Sequence, residues 1–105
     1  MPMKARYNSD SAGMVNYGHK VIVSIISLAT MEIRGVAMLV GKKVKTQISG
    51  SNVVVDVYIK VETGFSCAEV AYRVQENIKR SVEGMTTYRV SRANVHVFGV
   101  SFDNK

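Results

Sequence analysis

The side chains that most often carry out chemistry in proteins are few and widely separated in this chain. The histidines are His19 and His96, and the cysteine is Cys67. No H-x-x-x-H, C-x-x-C or H-x-E spacing joins them, so a zinc site of the common histidine and cysteine types is not expected. A catalytic thiol needs an activating histidine nearby. Cys67 lies among apolar residues at helical spacing, which indicates a small core residue.

The carboxylates do not pair in a way that favours acid–base chemistry. Glu69, Glu76 and Glu83 recur every seven residues, but basic residues flank them, which is typical of a solvated charge stripe on a helix. Asp56 has the parity opposite to the valines of its strand, so it needs no special role. Phosphate-binding glycine loops and the G-x-S-x-G motif are missing. We therefore predict a protein that is not an enzyme, with no cofactor, metal ion or small-molecule substrate.

Basic residues give the chain a formal net charge of +6. Such an excess attracts nucleic acid, an anionic membrane surface or an acidic protein, although a solvated basic surface explains it equally well. Lys42, Lys43 and Lys45 form a basic cluster that is a candidate anion-contacting site. The G-x-x-G loop of KH domains and the aromatic motif of RRM domains are missing. A small basic nucleic-acid-binding module is therefore the alternative function.

Length and composition predict one cytoplasmic domain. A chain of 105 residues with 47% apolar residues supports a single hydrophobic core. One cysteine allows no internal disulfide, which suits a reducing compartment. The longest apolar stretch, at residues 21–31, is shorter than the roughly 20 residues that cross a bilayer. It also begins too late for a signal peptide.

The first third of the chain predicts an arm followed by a helix. Residues 1–18 show no clear periodicity and are predicted to form a flexible N-terminal arm, with a single α/β domain at 19–103. From His19 to about Met38 the apolar residues cover more than one side of a helix. Such a helix is buried on most sides, in its own core or against another subunit. Gly35 could end it or mark a bend near its end.

The remainder predicts a hairpin, a second helix and a last strand. Residues 44–48 and 53–62 alternate apolar and polar side chains around a turn, which indicates an antiparallel hairpin. A capping box at Ser66 and Glu69 begins a helix that runs to about Glu83. The last strand starts at residue 89 or 94 and ends at 102, with Gly99 as the site of a bulge.

The order helix-strand-strand-helix-strand predicts an α/β two-layer sandwich (α+β). A right-handed crossover through the second helix makes the last two strands parallel. The sheet is then mixed and three-stranded, with two helices packed on one face. Its other face is open, and the candidate partner surface there consists of Val54, Tyr58, His96 and Phe98. The N-terminal arm could equally cover these residues.

Several segments together resemble the alkaline shock protein family, the envelope stress response proteins of Gram-positive bacteria. They are EIRGV at 32–36, VVVDVYIKV at 53–61, Gly64, EVA at 69–71, VQENIK at 74–79, VEGMT at 82–86 and NVHVFGV at 94–100. The similarity covers about residues 20–100. Met85-Thr86-Thr87 departs from the usual Met-Thr-Gly of the family, and the chain is basic whereas many members are acidic.

The resemblance implies a small α/β protein of the cytosol without known catalytic residues. Members are associated with cell-envelope homeostasis, are in some cases recruited to a membrane-anchored partner, and can self-assemble. We therefore expect a non-enzymatic scaffold or assembly component that forms homo-oligomers through protein–protein association. It would be cytoplasmic, or peripheral to the membrane through a partner. The basic charge leaves anionic lipid headgroups or an acidic protein as the bound surface.

Overall fold

The described residues form two helices and four strands. The computed structural model describes residues 11–40 and 44–101, and their side chains from His19 to Val100. In chain order the elements are helix α1 (Ser11–Met31), strands β1 (Val36–Leu39), β2 (Lys45–Ser49) and β3 (Asn52–Glu62), helix α2 (Cys67–Met85) and strand β4 (Arg89–Ser101). Helix α1 contacts β1, β2 and α2, and α2 contacts β4.

Strand β3 is the centre of the sheet, because the other three described strands all pair with it. Its residues alternate between the two faces, and every second side chain is apolar. The inward side chains are fully buried, namely Val53, Val55, Val57, Ile59 and Val61. Strand β4 runs parallel to β3 along one edge. Strands β1 and β2 pair antiparallel with the other edge, β1 with the C-terminal half of β3 and β2 with the N-terminal half. The predicted mixed sheet, antiparallel hairpin and parallel crossover are confirmed, but the sheet has four strands and not the predicted three.

Strand β1 replaces the end of the first helix, which the sequence predicted to reach about Met38. Helix α1 ends at Met31, and Gly35 then adopts a φ of +101° that turns the chain towards β3. The N–H of Glu62 donates to the carbonyl of Gly35 at 2.7 Å, and the N–H of Val40 donates to the carbonyl of Tyr58 at 2.7 Å. The prediction for residues 32–38 was wrong because pairing with the free edge of β3 outweighs a short helical periodicity.

Helix α1 also includes residues before its predicted start at His19. The described part of the helix begins at Ser11 and passes through Gly13 and Gly18, which obscure its periodicity. Adding turns to an existing helix costs little compared with nucleating one, so the strongly apolar segment after His19 can extend backwards. Residues 1–10 and 102–105 lie outside the described residues, and the division into an arm and one domain stays a prediction.

The helices cover the valine side of the sheet with one stripe each. Helix α2 buries Val70, Val74, Ile78 and Val82, which are four residues apart and therefore share one side of the helix. The side-chain oxygen of Ser66 accepts from the N–H of Glu69 at 3.2 Å, so the predicted N-cap is confirmed. The two-layer α+β architecture predicted from the sequence is also confirmed.

The two helices are joined by a polar contact as well as by apolar packing. Ile22, Ile26 and Ala29 of α1 are buried. Asn77 of α2 donates to the carbonyl of Ala29 at 2.8 Å and to the Glu32 carboxylate at 3.1 Å. This contact attaches the C-terminal end of α1 to the middle of α2 and leaves the opposite sheet face uncovered by either helix.

Candidate functional site

The open face of the sheet carries the four residues predicted as the partner surface. Tyr58 and His96 occupy paired positions in β3 and β4, and Val54 is paired with Arg92. Phe98 lies beside Tyr58 on the same face. The parallel pairing of β3 and β4 brings these residues together, although Tyr58 and His96 are 38 positions apart in the sequence.

Three of these residues form an aromatic cluster, which we define as Tyr58, His96 and Phe98. The rings of Tyr58 and His96 stack with centroids 4.5 Å apart and an interplanar angle of 15°. Phe98 meets the edge of Tyr58 at 5.7 Å and 81°. Both arrangements are favoured by aromatic quadrupoles. Phe98 is nevertheless 64% exposed, and Met38 on the same face is 46% exposed, so large apolar side chains contact solvent here.

Asp56 holds the aromatic cluster in place. The Nε2 of His96 donates to the Asp56 carboxylate at 3.0 Å, and the Nδ2 of Asn94 donates to the same oxygen at 3.1 Å. An ionised carboxylate only accepts, so this contact sets the protonated nitrogen of the imidazole. The hydrogen bond from His96 holds the pKa of Asp56 below its usual value; burial opposes this, and Asn94 and Lys45 support it.

Sequence parity placed Asp56 on the open face but assigned it no role. The register of β3 against β4 puts Asp56 opposite Asn94, and the Tyr58–His96 pair is the next pair along the strands on the same face. Parity alone does not reveal this, because it says which face a side chain takes and not which residue lies next to it. Met38 was missed for another reason, since its apolar spacing predicts the end of the first helix.

Protonation of Asp56 is expected to weaken the fold. Its folded pKa is depressed from 3.8, so its contribution to stability is present above that value and is lost as the pH falls through the folded pKa. Asp56→Asn is expected to cost about 1 kcal/mol at pH 7 and much less at low pH. Urea unfolding of the native chain and of Asp56→Asn, at pH 7 and at a pH below 3.8, measures the difference in free energy of unfolding. A cost that does not change with pH would contradict the ionic role of Asp56.

The predicted basic cluster is described only in part. Lys42 and Lys43 lie outside the described residues. Lys45 is exposed and is paired with Asp56 across β2 and β3. The cluster therefore stays a prediction.

The other side chains that could take part in chemistry lie away from the aromatic cluster. The Nδ1 of His19 and the hydroxyl of Thr46 share a hydrogen bond of 3.2 Å. Cys67 is half-buried at the first position of α2. Within the described residues, no group of three or more His, Cys, Asp or Glu residues could hold a metal ion. Neither helix in the described part of the chain is long and apolar enough to cross a membrane.

A second surface feature lies at the start of α2. A shallow cavity of about 230 Å³ is lined by Arg34, Phe65, Ser66, Glu69, Val70 and Arg73. Arg73 donates to the Glu69 carboxylate at 2.7 Å, so these two charges of the lining neutralise each other. On α1, Leu28 is 67% exposed and Met31 is 46% exposed, and their three-residue spacing makes them neighbours on the helix surface.

Comparison with known proteins gives a family match and a fold match. Residues 39–102 match the model of the alkaline shock protein 23 family, described as having a cell envelope-related function. The uncharacterized protein YqhY of Bacillus subtilis (strain 168) is 30% identical over 119 residues, covering 98% of this chain and 88% of YqhY. The uncharacterized protein Spy1535 of Streptococcus pyogenes serotype M6 is 26% identical, covering 84% of this chain and 79% of Spy1535.

Solved structures share the fold at low sequence identity. A variant of the MamM CTD superimposes with a TM-score of 0.55 and 16% identity, covering 82% of this chain and 98% of that domain. A nickel form of another MamM CTD variant gives a TM-score of 0.54 at the same 16% identity. At this level of identity the likeness concerns the architecture alone.

Proposed function

The chain belongs to the alkaline shock protein 23 family, whose function is related to the cell envelope, and we propose that it acts there as a non-enzymatic scaffold or assembly component. It would work in the cytoplasm through protein–protein association, with any membrane contact made through an anchored protein partner. The observation that carries this proposal is the exposed aromatic cluster on the open face of the sheet.

The aromatic cluster has the composition of a binding surface. Phe98 and Met38 present large apolar side chains to solvent, and burying such surface yields about 25 cal/mol per Å². Asp56 and Asn94 border it with polar groups that are already hydrogen-bonded. An apolar centre with a polar rim is the usual anatomy of a protein interface.

The geometry of the aromatic cluster also lowers the entropic cost of binding. His96 is held on one side by Asp56 and stacked on Tyr58 on the other. Side chains whose rotamers are already restricted lose little freedom when a partner binds. The first partner that we propose is a second copy of the chain, because a surface with both exposed ring faces and ring edges can be complementary to itself.

Replacing Phe98 should weaken this association. Phe98→Ser is expected to raise the dissociation constant about tenfold or more, because exposed aromatic anchors dominate interface energies. Sedimentation velocity over a range of protein concentrations measures the effect. Tyr72→Ser is the matched control, since Tyr72 is 60% exposed on α2 and lies away from the open face. If Leu28→Ser weakens association instead, the contact is made by α1.

The response to salt separates self-association from binding to anions. Each copy has a formal charge of +6, so added salt should strengthen contact between copies by screening their repulsion. Binding to nucleic acid or anionic lipid would weaken with salt. A native chain that stays monomeric at high protein and salt concentrations would overturn the assembly proposal.

A further inference from the structure

The outer edge of β4 is not paired with another strand in the described part of the chain. Strand β4 spans Arg89–Ser101 and is paired, among the described strands, with β3 alone. A strand at the margin of a sheet directs alternate N–H and C=O groups away from it, and these groups can pair with another strand.

Helix α2 satisfies the first half of this edge. The N–H of Val90 donates to the Glu83 carboxylate at 2.9 Å. The carbonyl of Ala93 accepts from the Gln75 side chain at 2.9 Å. Side chains of α2 therefore take the place of a neighbouring strand as far as Ala93.

The second half of the edge lacks such a contact among the described side chains. The backbone groups of one residue point to the same side of a strand and those of the next residue to the other side. Since the Ala93 carbonyl faces α2, the backbone groups of Val95 and Val97 face the same outer edge. The regular stretch ends there, because the register with β3 shifts between Val97 and Gly99. Residues 95–100 contain no proline, lysine or acidic residue, which are the usual protections of an edge.

We infer that this free stretch pairs with the same stretch of a second copy, in antiparallel orientation around a two-fold axis at His96. The inference rests on the proposed self-association and names its geometry. Val95 of each copy would exchange backbone hydrogen bonds with Val97 of the other copy. The groups that α2 leaves free are then satisfied, and the same surface serves both copies, as a two-fold interface requires.

The charge pattern favours a second copy in this orientation. Arg89 and Arg92 lie on the protected half of β4, whereas residues 95–100 carry no formal charge. With the axis at His96, the two Arg92 residues would lie about 26 Å apart along the strands, at about 3.3 Å per residue. That distance exceeds the Debye length of about 8 Å at physiological salt, so the repulsion between the arginines is largely screened.

The pairing would also join two aromatic clusters. The open faces of the two sheets become one continuous face, because a strand pair keeps side chains of the same parity on the same side. His96 of each copy lies at the axis, and Phe98 of one copy is placed opposite Asn94 of the other. Side chains directly opposite each other in an antiparallel strand pair lie about 5 Å apart, so the pairing partly buries Phe98 against Asn94 of the other copy, as the expected effect of Phe98→Ser requires.

Amide hydrogen exchange of the native chain tests the pairing directly. Exchange of the segment that contains Val95 and Val97 is expected to slow at least tenfold when the protein concentration is raised through the association midpoint. The segment containing Leu39 is the internal control. Val40 N–H bonds to β3, so the N–H of Leu39 faces the other outer edge and should not change.

A pair of variants provides the second measurement. Val97→Pro removes an N–H that does not bond to β3 and should weaken association at least tenfold in sedimentation velocity. Leu39→Pro removes the corresponding N–H at the opposite edge and should leave association unchanged. If Val97→Pro does not fold by circular dichroism, the exchange measurement decides.

The outcomes separate this inference from the proposed function. Association without added protection at Val95 and Val97 overturns edge pairing and leaves assembly through another surface. A native chain that is monomeric at every concentration overturns both. Protection that grows with concentration, together with loss of association in Val97→Pro alone, supports both.

Discussion

Ile78→Ala is expected to lower the free energy of unfolding by about 3 to 4 kcal/mol, because the shortened side chain leaves a cavity in the core. Ile78 is fully buried and lies in the middle of the stripe that α2 packs on the sheet. Its neighbours along that stripe, Val74 and Val82, are also fully buried, so the surrounding side chains have little freedom to fill the space. A loss of this size is a large part of the stability of a small domain.

Urea unfolding monitored by circular dichroism measures the loss. Met85→Ala is the matched control, since Met85 belongs to the same helix but is 71% exposed. It should change the stability by no more than about 0.5 kcal/mol. Equal effects of the two substitutions would show that α2 does not pack on the sheet along the stripe that includes Ile78.

Gly35→Ala is expected to cost about 3 kcal/mol, for two separate reasons. Gly35 has a φ of +101°, and a residue with a side chain pays about 1 to 3 kcal/mol for such a conformation. A Cβ added there would lie 2.7 Å from Cγ2 of Val70 and 2.9 Å from Cδ1 of Phe65. Val70 is a buried residue of α2, so the contact can be relieved only by moving packed atoms.

Gly50→Ala separates the two causes. Gly50 also has a positive φ, of +62°, but nothing lies within 4 Å of a Cβ built on it. This variant should lose only about 1 kcal/mol, the conformational part alone. The same unfolding measurement applies to both variants. Equal losses would mean that the space around Gly35 relaxes freely and that packing against Val70 and Phe65 does not matter.

The consequence of Gly35→Ala extends to the open face. Gly35 turns the chain from α1 into β1, and β1 carries Met38, which is paired with Lys60 of β3 and is exposed on the open face. A variant that loosens this turn should weaken the pairing of β1 with β3 before it affects β4. The loss of stability and any loss of self-association can therefore both be measured on the Gly35→Ala variant.

The local sequence was sufficient where a short-range pattern decides the structure. The alternation at 53–62 identified the buried row of β3, and Ser66 with Glu69 identified the start of α2. The same kind of alternation placed Tyr58 of β3 and His96 of β4 on the open face. Each of these features depends on residues within one element, where periodicity and capping are direct consequences of backbone geometry.

Residues 32–38 show where local pattern failed. Their apolar spacing continues that of α1, so helix was the natural prediction. The free edge of β3 lies nearby only after the chain has folded, and it offers hydrogen bonds to Val40 and Gly35 that no local pattern contains. Tertiary pairing of this kind overrides a weak helical preference.

The sequence by itself determined the α+β fold class and the two faces of the sheet. It also showed that side chains able to carry out chemistry are few and widely separated. Only the tertiary structure decided which side chains touch. Asp56 meets Asn94 and His96 because the packing of the valine rows sets the register of β3 against β4. Gln75 and Glu83 protect one half of the β4 edge because α2 lies beside it. Register and docking depend on the whole core at once, and local sequence patterns do not contain that information.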